Sequence, residues 1–261
     1  MTDKLAIVTG ASAGIGWEMA KQLATRGYDL WLIARREDRL RELAAQITAE
    51  TGRTAVVFAL DLIDAVDRAK LVTQMGLARD GLGLLVNNAA FGALGPTVDS
   101  SEAKMNQMIE LNVTALTDLS HAAAKIMIPK RRGAIINVAS TAAFQAVPYM
   151  NVYSATKAYV LSFTEALAEE LKEYGIRVMA LCPGPTRTEF HAVAGVREED
   201  ARGRLMMSAA ECVRIGLDDF ERGKQLSITG AANKLLAFGS WIAPRRLVTR
   251  SVGRMMKSRG K

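Results

Sequence analysis

Along this chain, short runs of apolar residues rich in Val and Ile alternate with longer stretches whose apolar residues recur every three or four positions. The short runs fall at 4–9, 29–34, 54–59, 82–87, 134–139 and 177–182, with a seventh near 225–229. The longer stretches include 16–26, 36–51, 65–76 and 153–174. A run that is apolar on both faces describes a strand covered on both sides, and the longer period describes helices. Strands that alternate with helices pair in parallel through right-handed crossovers. The expected architecture is therefore α/β: a single doubly wound, Rossmann-type domain, with a parallel sheet of about seven strands and helices on both faces. No linker, repeat or low-complexity segment interrupts the chain, so residues 1–240 are read as one catalytic-sized domain and 241–261 as a tail.

The tail is set apart by charge. Seven basic residues (Arg245, Arg246, Arg250, Arg254, Lys257, Arg259 and Lys261) and no acidic ones lie in it, and without them the remaining 27 basic residues balance the 27 acidic ones. A neutral body argues against a general nucleic-acid-binding surface, which would colour the folded domain as well. Two cysteines, Cys182 and Cys212, and two histidines, His121 and His191, supply neither a disulfide framework nor a metal set, and no metal is expected. The first residues run straight into a strand-like segment and no apolar run reaches the ~18–20 residues of a membrane span, so a cytoplasmic protein is expected.

The first strand runs into Thr9-Gly10-Ala11-Ser12-Ala13-Gly14-Ile15-Gly16, with a helix at once behind it. Such a turn lets the backbone come close to a pyrophosphate at a helix N-terminus, which makes Gly10, Ser12, Gly14, Ile15 and Gly16 candidate nucleotide contacts. The second strand ends in Ala34-Arg35-Arg36, where a site for NAD(H) would place an acid for the ribose hydroxyl. Guanidinium groups grip a 2′-phosphate instead, so NADP(H) is expected in preference to NAD(H), with Arg35 the better candidate and Arg36 the second. The same arginines, followed by Glu37 and Asp38, also fit the start of a solvated helix.

Tyr153 and Lys157 stand four residues apart, on one face of a helix. A neighbouring ammonium stabilises a phenolate and brings its pKa from ~10 toward the working range. Such a pair alone is more often a surface contact. Just upstream, however, the strand 134–139 ends at Ser140, whose hydroxyl can hold a carbonyl.

Taken in order, these pieces resemble the short-chain dehydrogenases/reductases of single-domain type: Thr9-Gly10-x-x-x-Gly14-x-Gly16, Asp61 after the third strand, Asn87-Asn88-Ala89, Asn112, Ser140, Tyr153 with Lys157, and Pro183-Gly184 followed by Thr188. The resemblance implies Tyr153 as general acid/base, and Lys157 lowering its pKa and binding the nicotinamide ribose. It implies Ser140 orienting the carbonyl and Asn112 holding a water that relays protons to Lys157. Asp61, with Leu62 beside it, would meet the adenine, and Asn88 and Ala89 the adenosine ribose side. Pro183, Gly184, Thr186 and Thr188 would meet the nicotinamide and its phosphates. The implied activity is hydride transfer between NADP(H) and a carbonyl or secondary alcohol, a medium-sized hydrophobic ketone or aldehyde, in a homo-oligomer. A nucleotide-binding regulator or redox sensor on the same fold is the alternative.

The chain also departs from that pattern. Ala90 replaces the usual Gly, Pro185-Thr186-Arg187-Thr188 is an unusual nicotinamide loop, and the frequent C-terminal Asp-Gly-Gly is replaced by Ser227-Ile228-Thr229-Gly230-Ala231. The ending is more similar to the DltE-like bacterial subgroup. Residues 189–207 are placed as a substrate lid, in which Phe190, His191, Met206 and Met207 line a pocket with Phe144, Val147, Tyr149 and Met150, or else pack the core. In the tail, Leu247, Val248, Val252, Met255 and Met256 gather on one helix side, and Arg250, Arg254 and Lys257 on the other. Such a helix docks on its own domain or a partner subunit, lies on an anionic membrane surface, or attracts an acidic substrate such as an acyl-CoA.

Overall fold

The computed structural model of the chain describes residues 4–195 and 206–257. Its centre is a seven-stranded, all-parallel sheet made of β1 (Leu5–Thr9), β2 (Asp29–Ala34), β3 (Ala55–Ala59), β4 (Leu82–Asn87), β5 (Gly133–Val138), β6 (Ile176–Cys182) and, further along, β9 (Leu226–Ile228). The strand order is β3-β2-β1-β4-β5-β6-β9, so the direction of winding reverses between β1 and β4. Two short strands, β7 (Thr186–Arg187) and β8 (Met207–Ser208), pair with each other in a separate small sheet.

Strand alternation sorts the core into two layers. Ala6 and Val8 of β1 face one side, where they meet helix α1 (Gly14–Thr25), α2 (Glu37–Thr51) and a later helix, α8 (Ala209–Glu221). Ile7, between them, faces the other side, toward α3 (Ala65–Leu77), α5 (Leu116–Met127) and α6 (Asn151–Lys172). Both layers are dry: Ile7, Met19, Leu32, Leu43 and Leu71 are fully buried. Truncating any one of them to Ala would cost about 2–5 kcal/mol.

Two helical regions differ from the sequence expectation, each for a local reason. The stretch from α4 (Glu102–Ile109) to α5 is helical throughout, but a π-turn at Glu110–Ala115 lies between the two. That wider turn shifts the register of everything after it, so the apolar residues do not keep one 3.6 period and the segment escapes a periodicity reading. Ahead of the tail helix, α10 (Arg245–Lys257), stands a separate helix, α9 (Ala231–Ile242), which overlaps the start of the expected tail. Ala243 between them is extended (ψ 147°), as the residue before Pro244 prefers. Residues 241–243 of the expected tail thus belong to the preceding helix and its end. One turn, α7 (Phe190–Val193), begins the expected lid, whose residues 196–205 lie outside the described residues.

Candidate active site

The cleft opens at the carboxyl ends of β1 and β4, where the sheet reverses its winding and a crevice forms. Its nucleotide end is shaped by glycines. Gly10 has φ +66°, and a Cβ built on Gly16 would stand 2.2 Å from the Gly10 carbonyl oxygen and 2.5 Å from Asn88 Nδ2. The turn is locked from beneath by Thr9, 1% exposed, whose hydroxyl accepts the backbone N–H groups of Asn88 (2.9 Å) and Ala89 (3.0 Å). Asn88 returns the contact, donating from Nδ2 to the Thr9 carbonyl at 2.9 Å. Helix α1 starts at Ala13, which has no side chain to cap the first turn, so its N–H groups face the cleft as an anion cradle. Thr188 covers that cradle: a Cβ on Gly14 would meet its Cβ at 2.9 Å. These features fit a dinucleotide pyrophosphate.

The two arginines after β2 part ways. Arg36 bends back over the glycine turn, donating to Ser12 Oγ (3.2 Å) and its carbonyl (3.3 Å), and pairs with Glu189 at 2.9 Å. Arg35 extends into solvent with Nη1 3.8 Å from Asp61 Oδ2. Asp61 also accepts from the Ile63 N–H at 3.0 Å, which fixes the turn after β3. Leu62 turns its side chain into the core and Ile15 packs against the first layer, so either can meet a nucleotide mainly through its backbone. Farther along, the Pro183 carbonyl accepts from Thr141 N–H (2.9 Å) and Thr186 Oγ1 donates to the Gly184 carbonyl (2.9 Å). A Cβ on Gly184 would overlap Asn233 of α9, which ties the last helix pair to this loop.

At the Tyr153 end, side chains replace backbone. Tyr153 and Lys157 lie on the first turns of α6, 9% and 3% exposed. Lys157 Nζ donates to the Val138 carbonyl at 2.7 Å, at the end of β5, and lies 5.9 Å from the centre of the Tyr153 ring. Burial pushes the Tyr153 phenol up to about 12, against the pull of a hydrogen bond with Ser140. Burial likewise pushes the Lys157 ammonium down to about 8. Ser140 caps the short 3₁₀ turn after β5, and its oxygen accepts from the Ala142 N–H at 3.1 Å.

Asn112 sits in the π-turn, 1% exposed. It clamps Phe91 from both sides of the backbone, accepting its N–H (3.1 Å) and donating to its carbonyl (2.9 Å). Its second amide hydrogen goes to Thr156 Oγ1 at 3.1 Å, which in turn donates to the Tyr153 carbonyl at 2.7 Å. Thr156 and Thr9 are the two residues that sequence reasoning passed over: each was in view inside a motif, but only the fold reveals its partners.

Phe190 tilts against the Tyr153 ring at 5.2 Å, and a Cβ on Gly92 would meet Phe190 Cζ at 2.8 Å. Phe190 thus lies beside Tyr153, whereas the side chain of His191 lies outside the described residues. Tyr149 has φ +67°, and its carbonyl accepts from Gly95 N–H at 2.9 Å, which anchors the loop ahead of α6. Among the described residues no group of His, Cys, Asp and Glu is placed to hold a metal ion.

A sequence profile described as short chain dehydrogenase matches residues 4–199. The chain belongs to the short-chain dehydrogenase family. It is 38% identical over 194 residues to a short chain dehydrogenase of Pseudocercospora fijiensis, covering 74% of this chain and 62% of that protein. The chain therefore spans less than two thirds of that relative. Solved structures align over nearly its full length. A short-chain dehydrogenase from Sphingobium yanoikuyae in complex with NADPH superposes with a TM-score of 0.83 at 33% identity, covering 95% of both chains. The bulky-bulky ketone specific alcohol dehydrogenase from Comamonas testosteroni superposes with a TM-score of 0.80 at 30% identity, covering 95% of this chain and 94% of that one.

Proposed function

We propose that this short-chain dehydrogenase is an oxidoreductase that moves a hydride between NADP(H) and a carbonyl or secondary alcohol, with hydrophobic ketones or aldehydes as its substrate class. One observation carries the reading: Tyr153 and Lys157 are buried together at the cleft, with Ser140 hydrogen-bonded to the phenol. The glycine turn, the open first turn of α1 and Thr188 would hold the dinucleotide, and the bound nicotinamide would supply or accept the hydride.

The remaining work falls to side chains. With its pKa raised to about 12, the Tyr153 phenol carries its proton throughout the neutral range and can give it to a carbonyl oxygen. Ser140, held by the Ala142 N–H and hydrogen-bonded to the phenol, would turn its hydroxyl to the same carbonyl. As the phenol loses its proton, the Lys157 ammonium offsets the new charge. A lysine lowered to about 8 exchanges protons readily near neutrality, which suits a relay that recharges Tyr153. Asn112 holds the Phe91 backbone and Thr156 in place beside that relay.

The preference for NADP(H) is supported by two guanidinium groups after β2 and by the NADPH-bound relative. The hydrophobic substrate is supported by Phe190 on the Tyr153 ring and by the bulky-ketone relative. The test is NADPH consumption against ketones, aldehydes, quinones and 3-oxoacyl thioesters, with Tyr153→Phe alongside. Turnover of an apolar ketone or aldehyde that falls by about 10²–10⁴ in the variant, with NADPH binding kept, is the expected result. Equal turnover in both proteins would refute it.

A further inference from the structure

We propose that α9, together with the turn into α10, is a docking surface for an anionic lipid membrane. Helix α9 is set on the domain through a narrow side, with Ala237 buried and Asn233 and Ser240 half-buried. Its outward face is apolar: Leu235 is 72% exposed, Phe238 57%, Trp241 83% and Ile242 65%. At 100° per residue, Trp241, Phe238, Ile242 and Leu235 fall in sequence around one continuous arc. An exposed apolar patch of this kind marks a contact with something outside the domain.

Charge identifies the occupant. No acidic residue follows Glu221, while Arg245 and Arg246 stand exposed directly after Trp241 and Ile242, with Leu247 (60% exposed) beyond them. An indole and aliphatic chains beside paired guanidinium groups match the boundary between acyl chains and headgroup phosphates. A second copy of this chain would be a poor match, because a two-fold contact here would set the α10 arginines against their own images with no carboxylate in the segment. Among the described residues no helix is long and apolar enough to cross a membrane, so the contact lies in the plane of the surface.

Much of the apolar side of α10 is already used, although Leu247 and Met255 stay exposed. Met256 is buried, Val248 and Val252 are half-buried, and a Cβ on Gly253 would stand 3.2 Å from Pro148 Cγ. Of the options that the tail sequence leaves open, α10 takes docking on its own domain, and lipid contact passes to the neighbouring helix.

The test is flotation of the purified full chain with vesicles of phosphatidylcholine containing phosphatidylglycerol, against vesicles of phosphatidylcholine alone. The expected result is binding to the anionic vesicles that weakens as salt rises. Arg245→Glu with Arg246→Glu, and separately Leu235→Ser with Phe238→Ser and Trp241→Ser, should each lower the bound fraction roughly tenfold. These side chains are exposed, so the variants should keep the melting temperature of the parent. A parent protein that stays with the soluble fraction overturns the proposal, as does binding that both sets of variants retain. A molecular mass in solution that drops from dimer to monomer in the Ser variant, without vesicle binding by the parent, assigns the face to a second copy and overturns it as well.

Discussion

At the glycine-turn end of the cleft, the decisive residues are defined by what they lack; at the Tyr153 end, by what they take out of water. Gly10, Gly14 and Gly16 leave room for a ligand against backbone, and the first turn of α1 leaves its N–H groups uncapped. Tyr153 and Lys157 instead carry titratable groups into a dry site, and their burial shifts both toward the neutral form. One end works by shape and is indifferent to pH; the other works by desolvation and is tuned by it. Substitutions should therefore separate binding from turnover.

The largest effect is expected at Lys157. Lys157→Met should lower kcat by about two orders of magnitude or more, measured with a reactive ketone, because the phenolate loses the neighbouring Lys157 countercharge. The same variant should be the more stable protein. With a folded pKa near 8 against an ordinary 10.5, Lys157 holds fewer protons in the folded than in the unfolded chain between those values. Its burial cost is thus fully present below about pH 8 and is relieved as pH rises toward 10.5. Removing the amine should raise stability at pH 7 by about 1 kcal/mol after loss of the bond to Val138, read as a higher melting temperature.

Gly16→Ala tests the other end. Its new Cβ would press on the Gly10 carbonyl, and the turn must open. A cost of about 1–3 kcal/mol corresponds to a Kd for NADPH weaker by about fivefold to 150-fold, by fluorescence titration, with the pH profile of turnover unchanged. A smaller but diagnostic effect is the pH dependence itself. Reduction uses the phenol, so kcat/KM should be flat from pH 6 to 8. Oxidation uses the phenolate, which grows nearly tenfold per unit below about 12, so kcat/KM should climb over that range. Its slope should slacken above about 8, where Lys157 gives up its charge.

The smallest effects distinguish the arginines. Arg36 is committed to Ser12 and Glu189, and Arg35 is not so tightly held. Arg35→Ala should weaken NADPH several-fold and leave NADH unaffected. Glu189→Gln should tighten NADPH about twofold to fivefold by releasing Arg36 from an exposed ion pair. Equal changes for both cofactors would place neither residue at a 2′-phosphate.

Much of this was legible in the sequence because it is local. Strand runs, the glycine turn and the i, i+4 pair each declare themselves within a few residues, and β2 and β4 have the bounds their apolar runs suggest. What sequence could not give is contact across the fold. Thr9 reaching Ala89, Asn233 filling the space beside Gly184, and Arg36 turning back to Ser12 all depend on chain crossings that no periodicity encodes. The break at Pro244 was readable in principle, since the residue before proline avoids the helical region, but the charge of the tail drew its boundary earlier.

The π-turn at Glu110–Ala115 has a consequence for how this protein tolerates change in length. It is, in effect, one residue more than a regular helix needs between α4 and α5. Deleting a single residue there would let the helix run on smoothly and improve its local hydrogen bonding. The same deletion would swing Asn112 about a third of a turn away from Phe91 and Thr156. A variant that lost that residue would gain a better helix and lose the strut beside Tyr153 and Lys157, so a length change that helps the fold locally would be paid for at the cleft.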